Sequence, residues 1–128
     1  MSEPVVEVVG VYNADGGVLG EIAYVLGHAM GSTDCSLCDV THGGIRRRPA
    51  WDEMVGRLPV PVRLAHRNET TEGEKDLIEA TGLPVLIGKR RDGSLTTLVP
   101  PLTIAAAEGS VDALEASIRE ALDDEGAV

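Results

Sequence analysis

The stretch GLPVLIGKRRDGSLTTLV, residues 82–99, predicts a β-hairpin. Its two segments LPVLIGK and LTTLV are rich in residues that favour strands, and the Asp-Gly pair between them is typical of a tight turn. A helix is expected on each side of the hairpin. Thr71 and Glu74 have the spacing of a capping box at the start of the preceding helix, and Ser110 is a suitable N-cap for the amphipathic helix that follows.

In the N-terminal half, predicted strands and helices also alternate. The valine-rich segment PVVEVVGVY at 4–12 predicts a buried strand, and apolar residues at helical spacing predict a helix over 18–30. In residues 31–49 the apolar residues follow no sustained helical or strand spacing, and this segment forms an unusually long connection. Pro49 is expected to open a short helix, and VPVRLA at 60–65 predicts a second strand.

The resulting order, β-α-(loop, helix)-β-α-β-β-α, resembles the thioredoxin-like fold, and 82–122 is the part most similar to it. Here Gly82-Leu83-Pro84-Val85 leads into a hairpin and a closing helix. The resemblance implies one α/β domain over 1–128, with helices flanking a central mixed four-stranded sheet whose first two strands are parallel. It also implies a cis peptide bond before Pro84. The acidic tail 123–128 is expected to fray.

Composition excludes several classes of partner. The chain has 128 residues, the size of one domain, and a formal net charge of −10 with 2% aromatic residues. A polyanion with few aromatic side chains is unsuited to nucleic acid or to an anionic membrane. No apolar run approaches the ~20 residues of a membrane span, and the N-terminus lacks a signal-peptide pattern. We therefore expect a cytoplasmic protein with reduced thiols.

The cysteines depart from the thioredoxin pattern. That family has Cys-x-x-Cys directly after the first strand, where this chain has Gly16-Gly17. Cys35 and Cys38 instead follow the predicted first helix, inside the 31–49 connection. At 1.5 Å per residue, that helix carries the chain roughly 18–20 Å. The thiols are therefore expected at the pole opposite Pro84, unless the connection turns back.

The stretch DCSLCDVTHGG at 34–44 predicts a metal site. If a short helix begins at Cys35, then Cys35, Cys38 and His42 fall at i, i+3 and i+7 on one face. Two thiolates and an imidazole suit Zn²⁺ or Cu(I). His66 is the fourth ligand of the predicted set. Other candidates for that position are His28, Asp34 and Asp39.

The same residues permit other functions. In a thiol–disulfide oxidoreductase, Cys35 would be the nucleophile and Cys38 the resolving cysteine, with a thiol or disulfide protein as partner. In a non-catalytic interaction domain, the 31–49 connection would be a docking surface. Both cysteines are also compatible with a role as small core residues. The sequence leaves these alternatives open.

Overall fold

The computed structural model describes residues 3–13, 36–43 and 46–125. The strands are β1 (Val5–Tyr12), β2 (His42–Gly43), β3 (Arg46–Arg47), β4 (Val62–His66), β5 (Val85–Arg90) and β6 (Leu95–Val99). The helices are α1 (Ser36–Thr41), α2 (Pro49–Arg57), α3 (Glu72–Thr81), α4 (Pro101–Ala106) and α5 (Val111–Asp124), and a 3₁₀ turn occupies Arg67–Glu69. The predicted helix over 18–30 lies outside the described residues, as do Gly16, Gly17, His28, Asp34 and Cys35.

The main sheet is open, mixed and four-stranded, in the order β4-β1-β5-β6. β1 is parallel to β4, while β5 is antiparallel to both β1 and β6. The predicted α/β class, the four-stranded sheet with flanking helices and the strand directions are therefore confirmed. The Leu83–Pro84 peptide bond is cis, as expected. The short strands β2 and β3 form a separate antiparallel pair.

From Val8 to Tyr12, the central strand β1 is buried on both faces of the sheet. Val8 and Tyr12 belong to the larger apolar cluster, which also contains residues of α1, α2, α4 and α5. Val9 and Val11 belong to a smaller cluster, against which residues of α3 pack. A strand covered on both faces needs apolar side chains at successive positions, which explains the run of valines. Full burial of each such side chain contributes about 1.5–3 kcal/mol.

Two helix starts are confirmed in atomic detail. The hydroxyl of Thr71 accepts a hydrogen bond from the amide of Glu74, whose carboxylate accepts one from the amide of Thr71 at 2.9 Å. Ser110 likewise accepts from the amide of Ala113 and starts α5. Because these contacts join residues three positions apart, the local sequence is sufficient to specify them.

Other parts differ from the sequence-based expectations. The 31–49 connection contains α1 and the β2–β3 pair, and α4 directly follows β6, a helix that the apolar spacing did not predict. The expected fraying does not start at residue 123, because α5 continues to Asp124. The Glu125 carboxylate also accepts a hydrogen bond from Arg90 at 3.0 Å. Among the described residues, no helix has the length and apolar character needed to cross a membrane.

Candidate functional site

Three parts of the main sheet meet at one edge. The parallel strands β1 and β4 end there, with Tyr12 and His66 as partners in register. β5 begins at the same edge, since Val85, the residue after Pro84, is the partner of Val11. The directions of the three strands therefore bring Tyr12, His66 and Pro84 to the same end of the sheet.

The helix that carries Cys38 lies over the half of β1 that leads to this edge. A Cβ atom built on Gly10 would lie 3.5 Å from Cδ2 of Leu37, and the hydroxyl oxygens of Thr41 and Tyr12 are 3.0 Å apart. Cys38, one turn before Thr41, is 7% exposed and belongs to the larger apolar cluster. α1 is thus on the Pro84 side of the molecule, and its expected position at the opposite pole is wrong. The rise of a preceding helix gives a distance but not the direction that the chain takes afterwards.

His66 is held by a carboxylate at the same edge. Its Nδ1 is 2.8 Å from Oε1 of Glu69, and that oxygen also accepts a hydrogen bond from the His66 amide at 2.9 Å. These two contacts, the amide first, lower the pKa of the Glu69 carboxyl group. The imidazole and Tyr12 rings are 5.3 Å apart at 49°. The His66 side chain also accepts a hydrogen bond from the Glu69 amide, which completes a capping box at the 3₁₀ turn.

His42, the other histidine of the predicted ligand set, does not lie on α1. His42 begins β2 and pairs with Arg47, so it is not on the helix with Cys38, and the expectation of one shared helical face is wrong for it. α1 ends because the chain turns after Thr41, whose carbonyl oxygen accepts a hydrogen bond from the amide of Arg48 at 2.7 Å.

The described residues contain only part of the predicted ligand set. Cys38 and His66 are connected through Tyr12, which contacts both α1 and the imidazole ring. Within residues 3–13, 36–43 and 46–125, no group of three or more His, Cys, Asp or Glu residues is arranged to hold a metal ion. Cys35, His28 and Asp34 lie outside those ranges.

Three residues of this edge were not predicted from the sequence: Tyr12, Thr41 and Glu69. Only Glu69 has a local signal, since its spacing of three residues from His66 is that of a capping box. The meeting of Tyr12 with Thr41 depends on how α1 packs on the sheet, and no short-range pattern encodes it.

Comparison with known proteins gave no match to a family model, to a curated protein or to a solved structure. Chemistry at the sheet edge is therefore the available guide to function. Its components are a buried cysteine on a short helix, an aromatic ring that contacts this helix, and a histidine with one ring nitrogen held by a carboxylate.

Proposed function

We propose that this protein binds a transition metal ion, Zn²⁺ or Cu(I), through Cys35, Cys38 and His66, with His42 as the further ligand. The observation that carries the proposal is the 2.8 Å contact between Nδ1 of His66 and Oε1 of Glu69. Histidines that ligate metals almost always donate their other ring N–H group to a carboxylate, a carbonyl oxygen or water. In the proposed site, Nε2 of His66 binds the ion.

The position of the cysteine helix supports the same proposal. Tyr12 contacts the ring of His66, and its hydroxyl group contacts Thr41, one turn after Cys38 on α1. Residues from two distant parts of the chain thereby approach one end of the sheet. A site assembled in this way adds its binding free energy to the stability of the folded state, because the unfolded chain does not hold the ligands together.

Charge and burial favour Zn²⁺ over Cu(I). Cys38 is almost completely buried among apolar side chains, where a net charge is costly. Two thiolates and neutral imidazoles form a neutral site with Zn²⁺, whereas they leave one net negative charge with Cu(I). The nearby Glu69 carboxylate adds to that difference.

We also propose the thioredoxin-like fold for the chain. Three features support it: the order of the elements, the central strand β1 between a parallel and an antiparallel neighbour, and a proline immediately before β5. The cysteines precede β4 rather than following β1 directly, so the site belongs to this chain and is not taken from the resemblance.

Metal content and thermal stability test the metal proposal together. We expect protein purified anaerobically without a histidine tag to contain one Zn²⁺ per chain. Cys35→Ser, Cys38→Ser and His66→Ala should each lower both metal content and melting temperature, and a chelator should reproduce the loss in the parent protein. Ser36→Ala, on the same short helix, is the matched control and should keep the metal. Full metal content in both cysteine variants would refute the proposal.

A second candidate function is thiol–disulfide exchange, favoured by the position of α1 on the Pro84 side of the sheet and by the burial of Cys38. The Cys35 thiolate would attack a disulfide sulfur of a partner protein, forming a mixed disulfide and releasing one partner thiolate. Attack by the Cys38 thiolate on the Cys35 sulfur would then release the second partner thiolate and leave a Cys35–Cys38 disulfide. Exchange that a chelator leaves unchanged and that Cys35→Ser abolishes would establish this function in place of metal binding.

A further inference from the structure

The turn between β5 and β6 contains an Asp-Gly pair, Asp92–Gly93, which has a chemistry of its own. The amide nitrogen of the glycine can attack the side-chain carboxyl carbon of the aspartate, because glycine has no side chain to hinder the approach. The new C–N bond closes a succinimide ring as one water molecule leaves. Hydrolysis consumes one water molecule and opens the ring at either carbonyl group, which gives aspartate or isoaspartate. In isoaspartate the main chain runs through the side-chain carboxyl carbon.

In the folded chain, each of the two reacting groups is bonded to another partner. Oδ1 of Asp92 accepts hydrogen bonds from the hydroxyl group of Ser94 at 2.7 Å and from the Ser94 amide at 2.9 Å. The Gly93 amide donates to the carbonyl oxygen of Arg90 at 2.9 Å. The guanidinium group of Arg90 also donates to the Ser94 hydroxyl oxygen at 3.4 Å, which leaves the hydroxyl proton for Asp92.

We propose that Asp92 is a site of spontaneous isoaspartate formation and that Ser94 suppresses the reaction in the folded chain. Asp92 is exposed, so burial does not protect it. The two hydrogen bonds to Oδ1 restrict rotation of the carboxyl group towards the Gly93 nitrogen. The same bonds, the hydroxyl first, lower the pKa of Asp92 and keep the group ionised. An ionised carboxylate reacts slowly, because the protonated group is the form that can release its oxygen as water.

The modification would alter the hairpin itself. The Gly93 amide bonds to the Arg90 carbonyl oxygen, and the Arg90 amide donates to the Ser94 carbonyl oxygen at 2.8 Å. Both hydrogen bonds therefore span the link between Asp92 and Gly93. Isoaspartate adds one carbon atom to the main chain at this link and moves Gly93 and Ser94 relative to Arg90. Suppression by Ser94 thus preserves the pairing of β5 with β6.

Incubation of the full chain in H₂¹⁸O near neutral pH measures the reaction, since hydrolysis of the succinimide adds one heavy oxygen at Asp92. Peptide mass spectrometry must resolve the site, because Asp15–Gly16 is a second Asp-Gly pair. Ser94→Ala should accelerate the reaction at Asp92 about three- to tenfold in the folded chain, as expected for the loss of an exposed hydrogen bond to a charged group. Ser94→Thr, which keeps a hydroxyl group, should react as slowly as the parent.

Unfolded protein and two further variants are the controls. In urea, the parent and Ser94→Ala should react at the same, faster rate, because the unfolded chain lacks the turn. Ser117→Ala removes a hydroxyl group that donates within α5 and should keep the parent rate, whereas Asp92→Glu should abolish the signal, because its longer side chain forms no succinimide. Equal folded-state rates in the parent and Ser94→Ala would overturn the proposal, as would a folded parent that reacts at Asp92 as fast as it does in urea.

Discussion

Gly10→Ala tests whether the cysteine helix is packed on the sheet as described. Gly10 lies at the middle of the sheet, between Leu64 of β4 and Leu86 of β5. A Cβ atom there would be 2.9 Å from Cδ2 of Leu64, 3.0 Å from Cδ2 of Leu86 and 3.5 Å from Cδ2 of Leu37 on α1. Leu86 and Leu37 are fully buried, so neither side chain has solvent to move into.

Two opposing effects determine the size of the change. Replacing glycine lowers the entropy of the unfolded chain and would stabilise the fold by about 0.4–1 kcal/mol. Overpacking of a closely packed core costs about 1–3 kcal/mol. The cost is larger, so we expect Gly10→Ala to lower the free energy of unfolding by about 1–2 kcal/mol, or the melting temperature by about 3–8 °C.

Urea unfolding followed by circular dichroism measures this loss. Gly56→Ala is the matched control: Gly56 is an exposed residue of α2, and a Cβ atom there meets nothing within 4 Å. Because alanine has the higher helix propensity, this control should gain about 0.5–1 kcal/mol. Equal or higher stability of Gly10→Ala would show that the three leucines do not enclose this position, and the packing of α1 over β1 would have to be revised.

Further predictions concern a buried hydrogen bond and an ion-pair network. Tyr12→Phe removes the hydroxyl group 3.0 Å from that of Thr41, and calorimetry should show a loss of about 1–3 kcal/mol because the contact is buried; an unchanged stability would contradict it. Hydrogen bonds from Arg57 and then Arg119 lower the pKa of Glu115 in the folded state below its ordinary 4.5. The ionised Glu115 carboxylate therefore contributes to the free energy of unfolding above about pH 4.5, and this contribution is lost as the pH falls through the lowered pKa of the folded state. The difference in unfolding free energy between the parent and Glu115→Gln should shrink on acidification, and a pH-independent difference would refute this.

Short-range patterns were sufficient for much of the fold. The hairpin over 82–99, the capping box at Thr71 and the N-cap at Ser110 each depend on residues a few positions apart, and the valine run of β1 reflects its burial. The antiparallel direction of β5 and β6 also follows from the sequence, because a short turn joins these two strands, whereas the parallel direction of β1 and β4 was expected from the resemblance. The predicted metal ligands, by contrast, were chosen by residue type and helical spacing alone.

Tertiary packing decided where those candidate ligands lie. A single turn after Thr41 removes His42 from the helix of Cys38, and the packing of α1 over β1 brings that helix to the Pro84 side of the sheet. His66 meets Tyr12 because two parallel strands end together, a contact between residues far apart in the chain. A helical period specifies which residues share a face, but it does not specify the direction of the chain after a long connection. The side chains at the sheet edge therefore become neighbours only when the sheet forms and α1 packs against it.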